Sequence, residues 1–148
     1  MRAQELTPSL LEQFLSECIR SSWLLVENAG DLQVLKSSLF DNSLKDKLPG
    51  YPSLQDKIND FLLFKKTNPG QPWGSNDTPF VSAGPIGRAL PKLRHAHLNR
   101  DISLYYTIEG RNPTTIKLYG VFSHQDSGTG TPGNINKQKS LAKKLVNA

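Results

Sequence analysis

The stretch Arg94-His-Ala-His-Leu-Asn-Arg-Asp101-Ile-Ser-Leu-Tyr-Tyr-Thr-Ile-Glu109, with its sequel Ile116-Lys-Leu-Tyr-Gly-Val-Phe-Ser-His124, changes the period of the chain. Ile102, Leu104, Tyr106 and Ile108 alternate with Ser103, Tyr105, Thr107 and Glu109, the period of a half-buried strand. Gly110-Arg-Asn-Pro113 is a turn signal. Ile116, Leu118, Gly120 and Phe122 then alternate with Thr115, Lys117 and Tyr119, so the two runs read as a β-hairpin. A strand over residues 93–98 completes a three-stranded antiparallel meander.

Upstream the period is helical. Thr7-Pro8 reads as a cap and first helical residue, and Leu10, Leu11, Phe14, Leu15 and Cys18 form an apolar stripe over residues 8–20. Trp23-Leu-Leu-Val26 either continues that helix or forms a short strand. Asn28-Ala-Gly30 is a stop, and Asp31 is expected to cap a second helix with Leu32, Leu35 and Leu39 inside. After a loop at 47–52, Ser53 is expected to cap a third helix with Ile58, Phe61, Leu62 and Lys65 inward. Residues 67–92 hold five prolines and four glycines, so a long ordered surface loop is expected there. Residues 126–136 read as a flexible loop, and 137–146 as a short basic helix with Leu141, Leu145 and Val146 on its apolar side. The expected class is α+β, with N-terminal helices on a twisted antiparallel sheet, in one domain over 1–148.

A length of 148 residues fits one domain. With 36% hydrophobic residues the chain is too apolar to be wholly disordered. No uninterrupted apolar run exceeds four residues, too short for a membrane-spanning helix. Glu5, Glu12 and Glu17 do not suit a secretory signal, so a cytoplasmic location is expected. The single cysteine, Cys18, excludes an internal disulfide and any multi-cysteine zinc site. The net charge of +5 is uneven. Residues 1–87 carry 8 Lys/Arg against 10 Asp/Glu, whereas residues 88–148 carry 10 against 3. A basic half attracts polyanions, nucleic acid first among them, or an acidic protein.

All three histidines lie in that half. His95 and His97 are two apart on a strand and share a face, Asp101 follows, and His124 closes the hairpin. Histidine titrates near neutrality and serves as acid, base or metal ligand. Three readings stay open on the residues alone: solvated surface histidines, a proton-transfer pair, or a zinc site made by His95, His97 and His124. Arg94 and Arg100 flank the histidines, and Arg111 and Lys117 belong to the hairpin. Tyr105 and Tyr119 share the polar parity, so they either stack on bases or pack across the strands.

The same run resembles the RelE superfamily of bacterial toxins, particularly its YafQ and YafO branches. The likeness lies in a strand ending in Ala-His97, a short gap to Asp101, a strand Ile-Ser-Leu-Tyr-Tyr106, and a strand ending in Ser-His124. Asp60-Phe-Leu-Leu-Phe-Lys-Lys-Thr-Asn-Pro69 and Gly74-Ser-Asn-Asp77 look like the preceding helix and loop. The likeness spans residues 54–124, leaving 1–20 as an added helix and 126–148 as a loop and basic segment. It implies a compact α+β fold and an endoribonuclease that cuts mRNA, associated with the ribosome and neutralised by an antitoxin protein. It also implies His97, Asp101 and His124 as catalytic residues. Arg94, Arg100, Arg111, Lys117, Tyr105 and Tyr119 are then the candidates for binding RNA, and no metal or other cofactor is required. His95 matches no catalytic position of the YafQ branch. The alternatives are a non-catalytic RNA- or protein-binding member of the same fold and a His-ligated metal-dependent hydrolase.

Overall fold

The computed structural model describes residues 23–29, 31–80, 84–111, 113–130 and 132–148. The expected helix over residues 8–20 lies outside them. Among the described residues the chain is α+β, with six strands and five helices. In order these are β1 (Trp23–Ala29), β2 (Leu32–Ser37), α1 (Ser38–Lys47), α2 (Leu54–Thr67), β3 (Asp77–Pro79), α3 (Pro85–Ala89), β4 (Arg94–His97), β5 (Ile102–Glu109), β6 (Thr114–Ser123), α4 (His124–Ser127) and α5 (Ile135–Val146).

The strands form one sheet in the order β1-β2-β6-β5-β4-β3. The meander β4-β5-β6 is antiparallel as its period dictates, with His95 opposite Tyr105 and His97 opposite Ser103. The sheet as a whole is mixed rather than antiparallel, because β2 runs parallel to β6, Leu32 beside Thr114. β1 folds back on β2 as a hairpin, so Trp23-Leu-Leu-Val26 is strand and not a continued helix.

The helix expected from Asp31 is corrected. Residues 32–37 are β2, and the helix starts only at Ser38. Leu32 and Val34 alternate into the core, and strands on both sides satisfy the β2 backbone. The true cap is Ser37, whose Oγ accepts from the Phe40 N–H at 3.1 Å. Ser53 stands before α2 as expected, but its side chain makes no capping bond. The breaker-rich region 67–92 is not all loop, since β3 adds a sheet edge and Gly84-Pro85 opens the single turn of α3.

Helices cover both faces of the sheet, not one. On the first face Phe40 and Leu44 of α1 and Leu54, Ile58 and Phe61 of α2 bury Val34, Leu104, Tyr106, Ile116, Leu118 and Val121. On the second, Ile86 of α3 and Leu141, Ala142 and Leu145 of α5 bury Trp23, Tyr105, Tyr119 and Phe122. This is why β5, expected to be half-buried, is buried on both sides from Ile102 to Thr107.

A β-bulge decides which side chains reach each face. Tyr105 pairs with Gly120 but Tyr106 pairs with Leu118, leaving Tyr119 as the extra residue of β6. Strict alternation would put Phe122 with Ile116 and Leu118. The bulge moves it to the second face, beside Tyr105 at 5.0 Å between ring centroids. α1 and its cap supply bonds at this irregularity: the cap residue Ser37 donates through Oγ to the Tyr119 carbonyl at 3.2 Å, and the Val121 N–H donates to Ser43 Oγ of α1 at 2.9 Å.

Candidate active site

The site begins with where β4 and β6 end. His95 and His97 project from the second face of β4, and β6 stops at Ser123. Ser123-His-Gln-Asp126 is a capping box: Asp126 N–H donates to Ser123 Oγ, and Ser123 N–H donates to Asp126 Oδ2, each at 3.0 Å. The chain therefore turns out of the sheet at Ser123 and holds His124 in the first turn of α4. Gly128 ends that turn in the left-handed region at φ 74°, where an added Cβ would collide with the Asn134 carbonyl. Lys47 of α1 pairs with Asp126 at 2.6 Å and so ties α4 to the far helix layer. Burial disfavours both charges, yet their mutual bond prevails: Lys47 is raised and Asp126 lowered from their ordinary values.

These elements bring the three histidines together. The His95 and His97 rings lie 5.4 Å apart between centroids, and those of His97 and His124 lie 6.0 Å apart. His97 Nδ1 is 3.1 Å from the Asn76 carbonyl oxygen. A carbonyl only accepts, so Nδ1 carries the hydrogen and the neutral ring keeps its lone pair on Nε2. His124 Nδ1 is 3.2 Å from Thr129 Oγ1, which in turn lies 2.6 Å from Ser127 Oγ. His95 is more enclosed. Burial lowers its pKa, and the neighbouring His97 adds to the effect, so its ring takes up a proton less readily than an ordinary histidine.

Asp101 lines a groove that also takes in His124, Gln125, Gly128 and Lys137. Its Oδ2 accepts from the Tyr51 hydroxyl at 2.9 Å, and this bond, together with the Asp101 charge, raises the Tyr51 pKa. The partner that orients His97 is thus the Asn76 carbonyl and not Asp101.

The cationic and phenolic candidates scatter. Arg100 is exposed in the β4–β5 turn, at the histidine end of the sheet. Arg94 points to the first face. Its Nε donates to Tyr106 Oη at 3.1 Å and its Nη2 to the Asp77 carbonyl at 3.0 Å. Arg111 sits in the turn at the other end of the β5–β6 hairpin. Lys117 Nζ lies 5.4 Å from the Trp23 ring centroid, and Tyr119 packs edge-on against the same ring. Tyr105 is buried, yet it lines a cavity of about 400 Å³ that reaches His95 and His124. Burial pushes its phenol up to about 12.

Several residues of the cleft carried no sequence signal: the Asn76 carbonyl, Phe80, Ser103 and Thr129. Phe80 comes from the end of β3, and its ring meets those of His95 at 4.6 Å and Tyr105 at 4.9 Å. The capping box was legible in principle, as Ser-x-x-Asp directly after a strand. Lys137, Lys143 and Lys144 of α5 are exposed along grooves that run from the α1–α5 seam to His124. Among the described residues, no group of three His, Cys, Asp or Glu side chains is placed to hold a metal ion. The zinc reading of His95, His97 and His124 therefore has no ligand set here. No described helix is long and apolar enough to cross a membrane. Comparison with protein-family models, curated proteins and solved structures finds no match for this chain.

Proposed function

We propose that the chain is an endoribonuclease that cuts RNA with its own 2′-hydroxyl as nucleophile and with His97 and His124 as the proton-transfer pair. The observation that carries this reading is the 6.0 Å separation of those two ring centroids, with His97 closing β4 and His124 following β6 on the far side of β5. A phosphodiester fits between two imidazoles at that spacing. His97 Nε2 takes the 2′-hydroxyl proton, the 2′-oxygen bonds to phosphorus, and the P–O5′ bond breaks. His124, protonated, gives its proton to the leaving 5′-oxygen. The products are a 2′,3′-cyclic phosphate and a 5′-hydroxyl, and no oxidant, reductant or metal enters the balance. Arg100, exposed in the β4–β5 turn at the histidine end of the sheet, is assigned to the phosphate charge. Arg94, Arg111, Lys117 and Tyr119 lie elsewhere, so no phosphate role is assigned to them.

The resemblance to RelE-type toxins over residues 54–124 supports this reading through its histidine and aspartate positions, while the helices of this fold cover both faces of the sheet. On that reading the substrate is mRNA at the ribosome, the partner is a small acidic antitoxin and the setting is the bacterial cytoplasm. The test is direct. Purified chain is incubated with RNA, with and without ribosomes, in excess EDTA, and the fragment ends are mapped. Cyclic phosphate ends, lost in His97→Ala and His124→Ala, are expected. Intact RNA in every arm with folded protein overturns the reading and leaves a binding protein.

A further inference from the structure

The aromatic cavity beside the histidine pair contains more than two proton carriers need. We infer that it is a slot for one nucleobase of the strand being cut, held next to the scissile phosphate. This inference rests on the ribonuclease reading above.

Size and lining both point to a flat, neutral, heteroaromatic occupant. The cavity of about 400 Å³ lies in the range of small-molecule sites, lined by aromatic walls and a few polar groups. Phe80, His95, Tyr105 and Phe122 form a chain of ring contacts along it, at 4.6, 4.9 and 5.0 Å between successive centroids in the order His95, Phe80, Tyr105, Phe122. Each contact is edge-to-face, so the rings meet at steep angles as walls do. No Asp, Glu, Lys or Arg lines it among the described residues, and burial disfavours charge on His95. His124 apart, the lining offers a phosphate no side chain that carries positive charge. The adjoining groove, which shares His124 and Thr129 with the cavity, holds Asp101 and Lys137 instead. The molecule thus separates an uncharged slot from a charged groove and sets His124 on the border between them. A nucleotide has the same division, with a neutral base on one side and a charged phosphate on the other.

Polar atoms are placed to read an edge of the base. Gln138 Nε2 is held by the Gly128 carbonyl at 2.9 Å, which leaves Oε1 as an acceptor. His95 Nδ1 contacts Thr78 Oγ1 at 3.4 Å, which leaves Nε2. The Ser103 hydroxyl, opposite Phe122 in the sheet, can donate or accept. His95 is on this account a specificity residue rather than a proton carrier. A base reaches such a slot only when unstacked, the usual mode for single-stranded RNA.

Two measurements on the full chain test this. In the first, adenosine, guanosine, cytidine and uridine are titrated separately while side-chain NMR signals of His95, Tyr105 and Phe122 are followed, with inorganic phosphate as control. Shifts from one or two nucleosides, with little response to phosphate, are expected. In the second, cleavage sites in a mixed-sequence RNA are counted for wild type, His95→Ala and Ser103→Ala, with folding checked by circular dichroism. The wild type is expected to prefer one base beside the cut, and one or both variants to lose roughly 5- to 100-fold of that preference, the range of one base-stacking interaction. Even cutting by wild type, or an unchanged preference in both folded variants, overturns the slot while leaving the ribonuclease reading standing. Nucleoside shifts with no RNA cleavage support the slot and overturn the ribonuclease reading. Equal shifts from phosphate and nucleosides overturn the slot.

Discussion

The ring of Phe122 lies directly over the backbone of Gly120, at the position a Cβ on Gly120 would occupy. Gly120 faces Tyr105 just after the bulge, and Phe122 forms a wall of the cavity. A side chain on residue 120 therefore displaces a wall of the site. Gly120→Ala is expected to cost about 1–3 kcal/mol of stability, the range for an overpacked core. It is also expected to lower RNA cleavage more than Gly70→Ala, where a Cβ meets nothing within 4 Å. Chemical denaturation and initial rates for the two variants make the comparison.

His97 and His124 are expected to act as one unit. Each alanine substitution should slow cleavage about 10²–10⁴-fold. The double variant should be little worse than the slower single variant, since groups serving one transition state are not additive. Melting temperatures should stay near wild type, because His124 is exposed and His97 half-buried. Rate losses under about tenfold in both single variants would remove the pair from the mechanism.

The buried cluster around Asp77 governs stability rather than chemistry. Its carboxylate accepts from Tyr106 Oη at 2.6 Å and from the Trp73 N–H at 2.8 Å, and pairs with Lys65 Nζ at 3.0 Å. Lys65 and Asp77 side chains are 2% and 0% exposed, so removing one strands the other. Asp77→Ala should destabilise the fold by about 3–5 kcal/mol, measured by urea unfolding.

Two of the shifted groups, Asp77 and His95, act on stability in separate pH windows. Burial alone would raise the Asp77 pKa, but bonds from Tyr106, the Trp73 N–H and Lys65 outweigh it, and the value is lowered from 3.8. Its contribution is complete above that value and is lost as pH falls below it. The His95 pKa is lowered from 6.5, chiefly by burial. The unfolded chain then binds that proton first, so stability also falls as pH drops below about 6.5. Urea midpoints should decline as pH falls from about 7.5 to about 5.5, and this step should vanish in His95→Ala.

Lys137, Lys143 and Lys144 should set affinity for RNA rather than rate. Replacing all three by alanine is expected to weaken RNA binding and to reduce the salt slope by about 2, near 0.7 for each single-strand phosphate that is no longer neutralised. Cleavage of a dinucleotide, too short to reach along α5, should change less than cleavage of a long strand. An unchanged salt slope would take the α5 lysines off the RNA path.

Expression of the chain alone in bacteria is expected to arrest growth, and co-expression of a small acidic partner should restore it. The strongly basic segment 88–148 offers such a partner a complementary surface. Normal growth with soluble, folded protein would count against the toxin reading.

The meander and α2 were legible because their periods are local: Ile102 to Ile108 alternate, and Ile58, Phe61, Leu62 and Lys65 repeat as a helix does. β2 was not, because Leu32, Leu35 and Leu39 satisfy helical spacing. What makes the segment a strand is pairing with β1 and with β6, which a local window cannot hold. The bulge at Tyr119 was equally hidden, so the faces of Tyr119 and Phe122 follow only from the pairing of β5 with β6. Tyr105 looked polar by parity because nothing in its own strand announces α5, which covers it. Arg94 is a different case. If His95 and His97 share one face of β4, Arg94 must take the other, and alternation alone separates it from the histidines.

The pairing of β2 with β6 also imposes an order in time. Ser37 bonds to Tyr119, 82 residues further along the chain. During synthesis β2 and α1 exist long before the strand that completes their sheet. Closing so long a loop is the entropically expensive, slow part of folding. His97 precedes that step and His124 follows it. A growing chain therefore holds no assembled proton-transfer pair, and on the proposed reading the nuclease stays silent until its own translation has passed the last strand.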